Sequence, residues 1–215
     1  GIGLGRACFA RRAECGFLVS RSLLETAALH SKEVRSEIRK AVKETCSGKS
    51  DISVTFQSAR TELPVTFIDL AKNERFTEPL PTFDALQLKA ELVRKRPKAY
   101  ILPNTCRMQA EKLRALGIEV EEIGKTFTAT VEKYIVTGYK KVTKEWEKIY
   151  PVTVSTRTVK EKKSFPAGCF IIRLSQKNAN LATTLLEPES VNGFVNFEVV
   201  HTELRKELPI YRKGF

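Results

Sequence analysis

The hydrophobic period of this chain changes at Cys46-Ser47-Gly48-Lys49-Ser50, and that change constrains the fold more than any other feature. Upstream, no proline interrupts residues 7–29, and Phe17, Leu18, Leu24 and Ala28 recur at helical spacing. Ser31 reads as the N-cap of a second helix, with Val34, Ile38, Ala41 and Val42 forming one stripe and charges covering the rest. Gly48 supplies a C-cap signal inside a polar linker, which sets a boundary near residues 48–51. Downstream the period is two, and Ile52, Val54 and Phe56 alternate with polar residues. The spacing therefore predicts an α+β chain: an N-terminal helical segment over 1–48, then a strand-rich mixed α+β domain over 51–215.

Within that second part, Val65, Phe67 and Leu70 continue the extended pattern, while Asn73, Pro79 and Pro81 mark 71–82 as a loop. Leu86, Leu88, Leu92 and Val93 begin another extended segment that runs to Arg96-Pro97. Ala99-Tyr100-Ile101-Leu102 reads as a short strand stopped by Pro103. Asn104 or Thr105 then caps a helix with apolar positions Met108, Leu113 and Leu116, which Gly117 ends before Ile118, Val120 and Ile123 resume alternation. Such a strand–helix–strand unit forms a right-handed crossover if its strands share a sheet. Alternation returns over 128–158, and Phe165-Pro166-Ala167-Gly168 reads as a hairpin connection before the buried strand Phe170-Ile171-Ile172. Asn178 caps a helix through Leu181, Leu185 and Leu186 that Pro188 halts; residues 191–200 are strand-like, and Leu208-Pro209-Ile210-Tyr211 is extended.

Composition narrows the chemistry. The 215 residues hold two histidines, His30 and His201, so no site of three imidazoles can form. Five cysteines (Cys8, Cys15, Cys46, Cys106, Cys169) make no CxxC pair and cannot close a complete disulfide framework, so they are expected as small buried hydrophobes. No run approaches the roughly 18 apolar residues of a membrane span, and the first residues lack a basic n-region with an apolar stretch behind it. A signal peptide is thus expected to be absent or already removed. The net charge of +12 invites a polyanion-binding reading, but the excess is spread out: ten basic and five acidic residues over 1–50, eight and three over 138–163. A solvated basic face is the expectation, with a binding module for an anionic polymer such as nucleic acid or glycan as the alternative.

The short motifs carry little chemistry. Gly1-Ile2-Gly3-Leu4-Gly5 lacks the preceding strand and the third glycine of a dinucleotide turn, since position 6 is Arg6. Gly48-Lys49-Ser50 lacks the earlier glycine of a P-loop, because Lys43 stands there. His30-Ser31-Lys32-Glu33 fits a loose HxxE pattern, and His201 is the one other imidazole that could complete a zinc site with that pair. The alternative is a surface histidine at a helix junction. No GxSxG or other nucleophile constellation is present. Trp146, flanked by Lys144, Glu145, Glu147 and Lys148, reads as a half-buried rim residue or a stacking platform.

Several stretches together resemble bacterial zinc carboxypeptidases of the carboxypeptidase A-like family. Gly1-Ile2-Gly3-Leu4-Gly5-Arg6 with Phe9-Ala10-Arg11-Arg12 resembles the segment that follows the family's catalytic glutamate and leads into the last helix of the catalytic domain. Arg96-Pro97-Lys98-Ala99-Tyr100-Ile101-Leu102-Pro103, Glu111-Lys112-Leu113, Leu116-Gly117-Ile118, Phe165-Pro166-Ala167-Gly168 and Leu185-Leu186-Glu187-Pro188-Glu189 resemble its accessory C-terminal region, in the same order. The resemblance implies that residues 1–48 are a remnant of the catalytic domain's last helix and 51–215 an accessory domain. It also implies that the family's zinc ligands and catalytic glutamate lie before Gly1, so no catalytic, cofactor-binding or metal residue carries over. Zinc belongs to the family resembled, and no cofactor is expected in this chain, which is expected to be inactive alone. The expected partners are the parent's catalytic domain or a second copy of the chain, not nucleic acid. The family implies a secreted or periplasmic protein, against which the unpaired cysteines lean.

Overall fold

The computed structural model describes residues 8–146 and 148–214, with the side chains of Ala85 and Leu86 set aside. The Gly1–Arg6 run, Glu147 beside Trp146, and the Leu86 side chain therefore lie outside the described residues. Two compact units are present, Gly1–Glu44 and Thr45–Phe215. In the first, the proline-free stretch forms α1 (Phe9–Leu29), and α2 (Ser31–Ser47) follows after His30. Ser31 is the first residue of α2 rather than the residue before it. At the far end Gly48 adopts φ +62° and its N–H reaches the Thr45 carbonyl, the left-handed helix stop that only glycine takes without strain.

The second unit starts with a long antiparallel ribbon, β1 (Ile52–Asp69) and β2 (Glu74–Arg94). Most of the 71–82 stretch expected as a loop is strand; the reversal occupies only residues 70–73, with Asn73 at φ +54°. The register explains why prolines are tolerated. Pro64 faces Pro79 and Glu62 faces Pro81, so all three prolines sit at rungs where no N–H is needed by the partner strand. From Ile52↔Arg94 to Asp69↔Glu74 the ribbon extends roughly 55 Å at about 3.3 Å per residue. Only Ile52 and Val54 at its root are buried among the described side chains.

The remaining strands form one six-stranded sheet: β3 (Ala99–Leu102), β4 (Glu121–Ile123), β5 (Phe127–Lys141), β6 (Val152–Phe165), β7 (Cys169–Arg173) and β8 (Glu207–Lys213). Their spatial order is β4-β7-β3-β8-β5-β6, and every pairing is antiparallel. Hence β3 and β4 run parallel with β7 between them, joined by α3 (Arg107–Ala115); β7 and β8 run parallel with β3 between them, joined by α4 (Ala179–Leu186). These two interleaved crossovers give the split β-α-β plan of ferredoxin-like domains, with the β5–β6 hairpin inserted between β4 and β7. The expected strand–helix–strand unit does share a sheet. Phe165–Gly168, however, does not join neighbours: β6 lies at one sheet edge and β7 beyond β3 and β8.

Local chemistry accounts for the stops. Gly117 takes φ +76°, its N–H bonds Arg114 O at 2.9 Å, and Ile118 N–H bonds Leu113 O at 3.0 Å. This paired closure also brings Ile118 and Leu113 into the same core. Neither Asn104 nor Thr105 caps α3; a turn of 3₁₀ helix (Asn104–Cys106) enters it without a side-chain cap. Asn178 precedes α4 as expected, but its amide donates to Gly117 O at 2.6 Å instead of capping. Residues 191–200 are a chain of turns, not a strand, with Glu198 at φ +54° and bonds such as Phe197 N–H to Gly193 O. Their apolar residues Phe194, Val195 and Val200 are buried nonetheless, so the pattern reported packing rather than pleat.

The helices cover one face of the sheet. Tyr100, Leu102, Tyr134, Phe170, Ile172 and Ile210 pack there against Ala110, Leu113, Ala182 and Leu186. Met108 and Leu116, expected on that face, remain half-exposed. A smaller core on the opposite face gathers Ala99, Ile101, Val131, Phe165, Ile171 and Tyr211, with Phe127 stacked on Phe165 at 5.3 Å. Cys106 and Cys169 are buried, Cys15 and Cys46 are half-buried, and Cys8 is exposed, so the expectation of buried thiols holds for two of five. Ile101→Ala, at a fully buried position between β7 and β8, is expected to cost about 2–5 kcal/mol, whereas Phe83→Ala on the exposed ribbon should change stability by under about 0.5 kcal/mol. Urea unfolding followed by circular dichroism measures both.

Candidate functional site

The densest chemistry in the second unit is a buried ionic cluster where the ribbon root meets the sheet. Arg94 ends β2, Tyr100 lies on β3, Glu132 and Tyr134 on β5, Thr156 on β6, Arg212 on β8, and Glu187 and Glu189 follow α4. The side chains of Glu187, Arg212, Glu189 and Arg94 are 1%, 4%, 9% and 10% exposed. Charges this far from water are tolerable only when paired and hydrogen-bonded. Arg94 Nη1 donates to Glu187 Oε2 at 2.9 Å and to Glu189 Oε2 at 2.6 Å; its Nη2 donates to Glu189 Oε1 at 2.8 Å and to Thr156 Oγ1 at 3.1 Å. The Thr156 N–H and hydroxyl also donate to Glu189 Oε1, at 2.8 and 2.7 Å. Tyr100 Oη donates to Glu187 Oε1 at 2.5 Å. Arg212 pairs with Glu132 at 2.9 Å and donates to the Lys95 carbonyl, and its Nε lies 3.6 Å from Glu187 Oε1. The Arg94 guanidinium also lies over the Tyr134 ring, 5.3 Å from its centroid.

Protonation follows from this packing. Burial pushes the Glu189 carboxyl up, but the Arg94 bonds and charge and the Thr156 hydroxyl outweigh it, leaving Glu189 below the usual carboxylate range. Burial, then the neighbouring Glu187, pushes the Tyr100 hydroxyl well above its ordinary value. Tyr134 moves the same way for the same leading reasons. The cluster fastens the root of the ribbon to the sheet and to the segment after α4.

A second cluster roofs the smaller core. Lys133 Nζ lies 2.7 Å from Glu161 and 3.0 Å from Glu207, Lys163 Nζ lies 3.0 Å from Glu207, and Tyr211 Oη donates to Glu207 at 2.7 Å. Burial pushes Glu207 up, but Tyr211, Lys133 and Lys163 hold it at about 2. Burial first, then Glu207, raises Tyr211 to about 12.

The residues singled out by motif are placed as follows, each within its own unit. His30 Nδ1 lies 3.3 Å from Glu33 Oε2, both exposed, at the α1–α2 junction. His201 is exposed in the loop before β8 and belongs to the other unit. Among the described residues no group of three or more His, Cys, Asp or Glu side chains is placed to hold a metal ion. The donors present thus do not fit a catalytic zinc. Ser50 of the GKS run accepts a bond from Arg96 Nε through its carbonyl. Trp146 is half-exposed, edge-on to Phe197 at 5.9 Å.

What motif reading missed is Arg94 and Arg212, which no local pattern marks. The available signal was indirect: two of the carboxypeptidase-like segments, 96–103 and 185–189, supply Tyr100 and the Glu187/Glu189 pair that meet in the cluster. A third, Phe165-Pro166-Ala167-Gly168, supplies the Phe165 ring against Tyr211 and a Gly168 turn at φ +87°.

Comparison with known proteins agrees in kind. The chain is 28% identical to Carboxypeptidase 2 of Trichophyton tonsurans over 212 residues, covering 99% of this chain and 39% of the relative. Carboxypeptidase 2 of Trichophyton equinum matches at the same identity and coverage. A probable carboxypeptidase 2 of Arthroderma benhamiae is 27% identical over 187 residues, 87% of this chain. No family model and no solved structure matches. The relationship is carboxypeptidase-like; the relatives are fungal, whereas the segments above resemble bacterial members, and the chain spans about two fifths of their length.

Two outcomes follow from the clusters. Arg94→Met strands buried carboxylates and is expected to cost about 3–5 kcal/mol, while Lys95→Met, in an exposed pair with Asp51, should cost under about 1 kcal/mol. Because Glu189 and Glu207 have depressed native pKa values, their contribution is complete above the ordinary 4.5 and is lost as pH falls through the native values, which for Glu207 is about 2. Denaturant midpoints measured from pH 7 to 2 should drop across that window, and Glu207→Gln should flatten the drop.

Proposed function

We propose that this chain is the non-catalytic accessory part of a zinc metallocarboxypeptidase of the carboxypeptidase A-like kind, and that it packs against the catalytic part of the same protein and shapes access to its cleft. One observation carries the reading. Helices α1 and α2 bury no residue, and α1 presents Phe9, Phe17, Leu23 and Leu24 to solvent along one side. Helices in water derive most of their stability from covering an apolar face, and a contiguous exposed apolar face marks an interaction site. Relatives of which this chain spans 39% contain ample further polypeptide to supply the cover.

The segments that carry the resemblance support the same reading, because their residues serve the core, the turns and the buried ion cluster. Zinc and the general base belong, on this reading, to the catalytic part. The role of this chain is mechanical: the ribbon and the sheet are held rigidly at Arg94, and the apolar helices dock.

Zinc analysis and a C-terminal peptide hydrolysis assay on the purified chain test the first half; below about 0.1 equivalent of metal and no turnover are expected. Stoichiometric zinc with turnover would overturn the proposal. Mixing the chain with the separately expressed catalytic part should give a complex that Phe17→Asp with Leu24→Asp weakens at least about tenfold, a loss of about 1.4 kcal/mol. Absence of any complex with the unaltered chain would equally refute it.

A further inference from the structure

A groove at the end of β3 is lined by cationic side chains. It encloses about 590 Å³, its lining includes Arg96, Lys98, Arg173 and Lys213, and it includes no aspartate or glutamate. Four cations around a concave surface without an acid focus a positive potential there.

The sheet register builds the floor. Ala99 pairs with Arg173 on one side and with Lys213 on the other, so the three side chains share one face of the sheet. The methyl of Ala99 leaves a trough between two long cationic arms. Gly214, at φ +74°, borders the trough; a Cβ there would meet Lys98 side-chain carbons at 3.1–3.3 Å, so glycine makes the room in which the Lys98 stem lies.

Arg96 supplies the observation that points to a ligand. Its Nε donates to Ser50 O at 3.0 Å and its Nη2 to Asn180 Oδ1 at 2.7 Å, which fixes the guanidinium plane. Its Nη1 is shielded from solvent and has no hydrogen-bond partner among the described residues. A shielded cationic donor left without an acceptor costs about 1–3 kcal/mol or more, which a bound acceptor would recover. Lys98 makes no ion pair among the described residues. Arg173 is held only by Glu121 at 2.8 Å in a solvent-exposed pair of little strength, and Lys213 Nζ rests 5.6 Å from the Phe127 ring centroid.

We propose that this groove binds a ligand bearing a tetrahedral oxyanion, a phosphate or sulfate ester, with Arg96 and Lys98 as its principal contacts and Arg173 and Lys213 flanking them. A multivalent oxyanion is favoured over a single carboxylate because it has acceptors enough for several donors at once, and arginine forks match its oxygens. The volume exceeds that of a free phosphate ion, so the oxyanion is one group of a larger molecule. The proposal stands on the groove alone and does not depend on the accessory role argued above.

Calorimetric titration of the full chain at about 50 mM salt tests it, with inorganic pyrophosphate in one arm and a sulfated heparin disaccharide in the other. Saturable one-to-one binding in either arm is expected, and the tighter arm identifies a phosphate or a sulfate source. Lys98→Gln, at an exposed position that cannot unfold the core, should weaken binding at least about threefold, and Arg96→Gln at least about tenfold. Lys144→Gln, outside the groove, should leave it unchanged. No saturation by about 10 mM in both arms, or equal binding by Lys98→Gln, Arg96→Gln and the unaltered chain, would overturn the proposal.

Discussion

Everything in the second unit is organised by the need to satisfy charges that cannot reach water. Arg94 and Arg212 bring two guanidinium groups against Glu132, Glu187 and Glu189, with the buried Tyr100 and Tyr134 beside them. Removing Arg94 leaves Glu189 buried without its cationic partner, which is far more costly than the modest net value of the intact pair. The cluster therefore functions as a lock centred on Arg94. It joins β2, β3, β5, β6, β8 and the segment after α4 through bonds between residues up to 117 apart along the chain.

That lock explains how a ribbon with almost no buried surface is held in place. Two-stranded ribbons are marginal in water by themselves. Here Ile52 and Val54 anchor the first strand at its root, and Arg94, across from Ile52, anchors the second. Beyond the root, Phe67 and Phe76 stack at 5.5 Å on an otherwise open face, and prolines at 64, 79 and 81 remove N–H groups from outward-facing edges. Edge prolines of this kind discourage unwanted strand addition. The ribbon is thus fastened at one end and protected along its length, a design that leaves its apolar face available without exposing a sticky backbone.

How far this was legible in the sequence depended on whether the cause was local. The period change at 46–50, the left-handed stops at Gly48 and Gly117, and the Ala99–Leu102 strand all arise from short-range sterics or alternation, and all are present. The 71–82 stretch misled because proline is a breaker inside a central strand but harmless at a non-bonded rung of a ribbon, and the rung depends on register. Residues 191–200 misled because burial by α4 and the sheet produces apolar spacing without a strand. The ionic cluster was the least legible. Arg94 sits in a run, Leu92-Val93-Arg94-Lys95-Arg96, where nothing distinguishes the buried cation from its exposed neighbours; only the fold brings it to Glu187 and Glu189.

The same reasoning separates what similarity to carboxypeptidases means from what it is often taken to mean. In this chain the segments that carry the resemblance supply a buried strand, two glycine turns, an aromatic stack and an ion lock, all features on which folding stability depends. Catalytic residues are constrained for a different reason, by the chemistry they perform, and they would leave a different trace: imidazoles and carboxylates converging on one concave site. His30 with Glu33 lies at an exposed helix junction, and His201 in an exposed loop before β8.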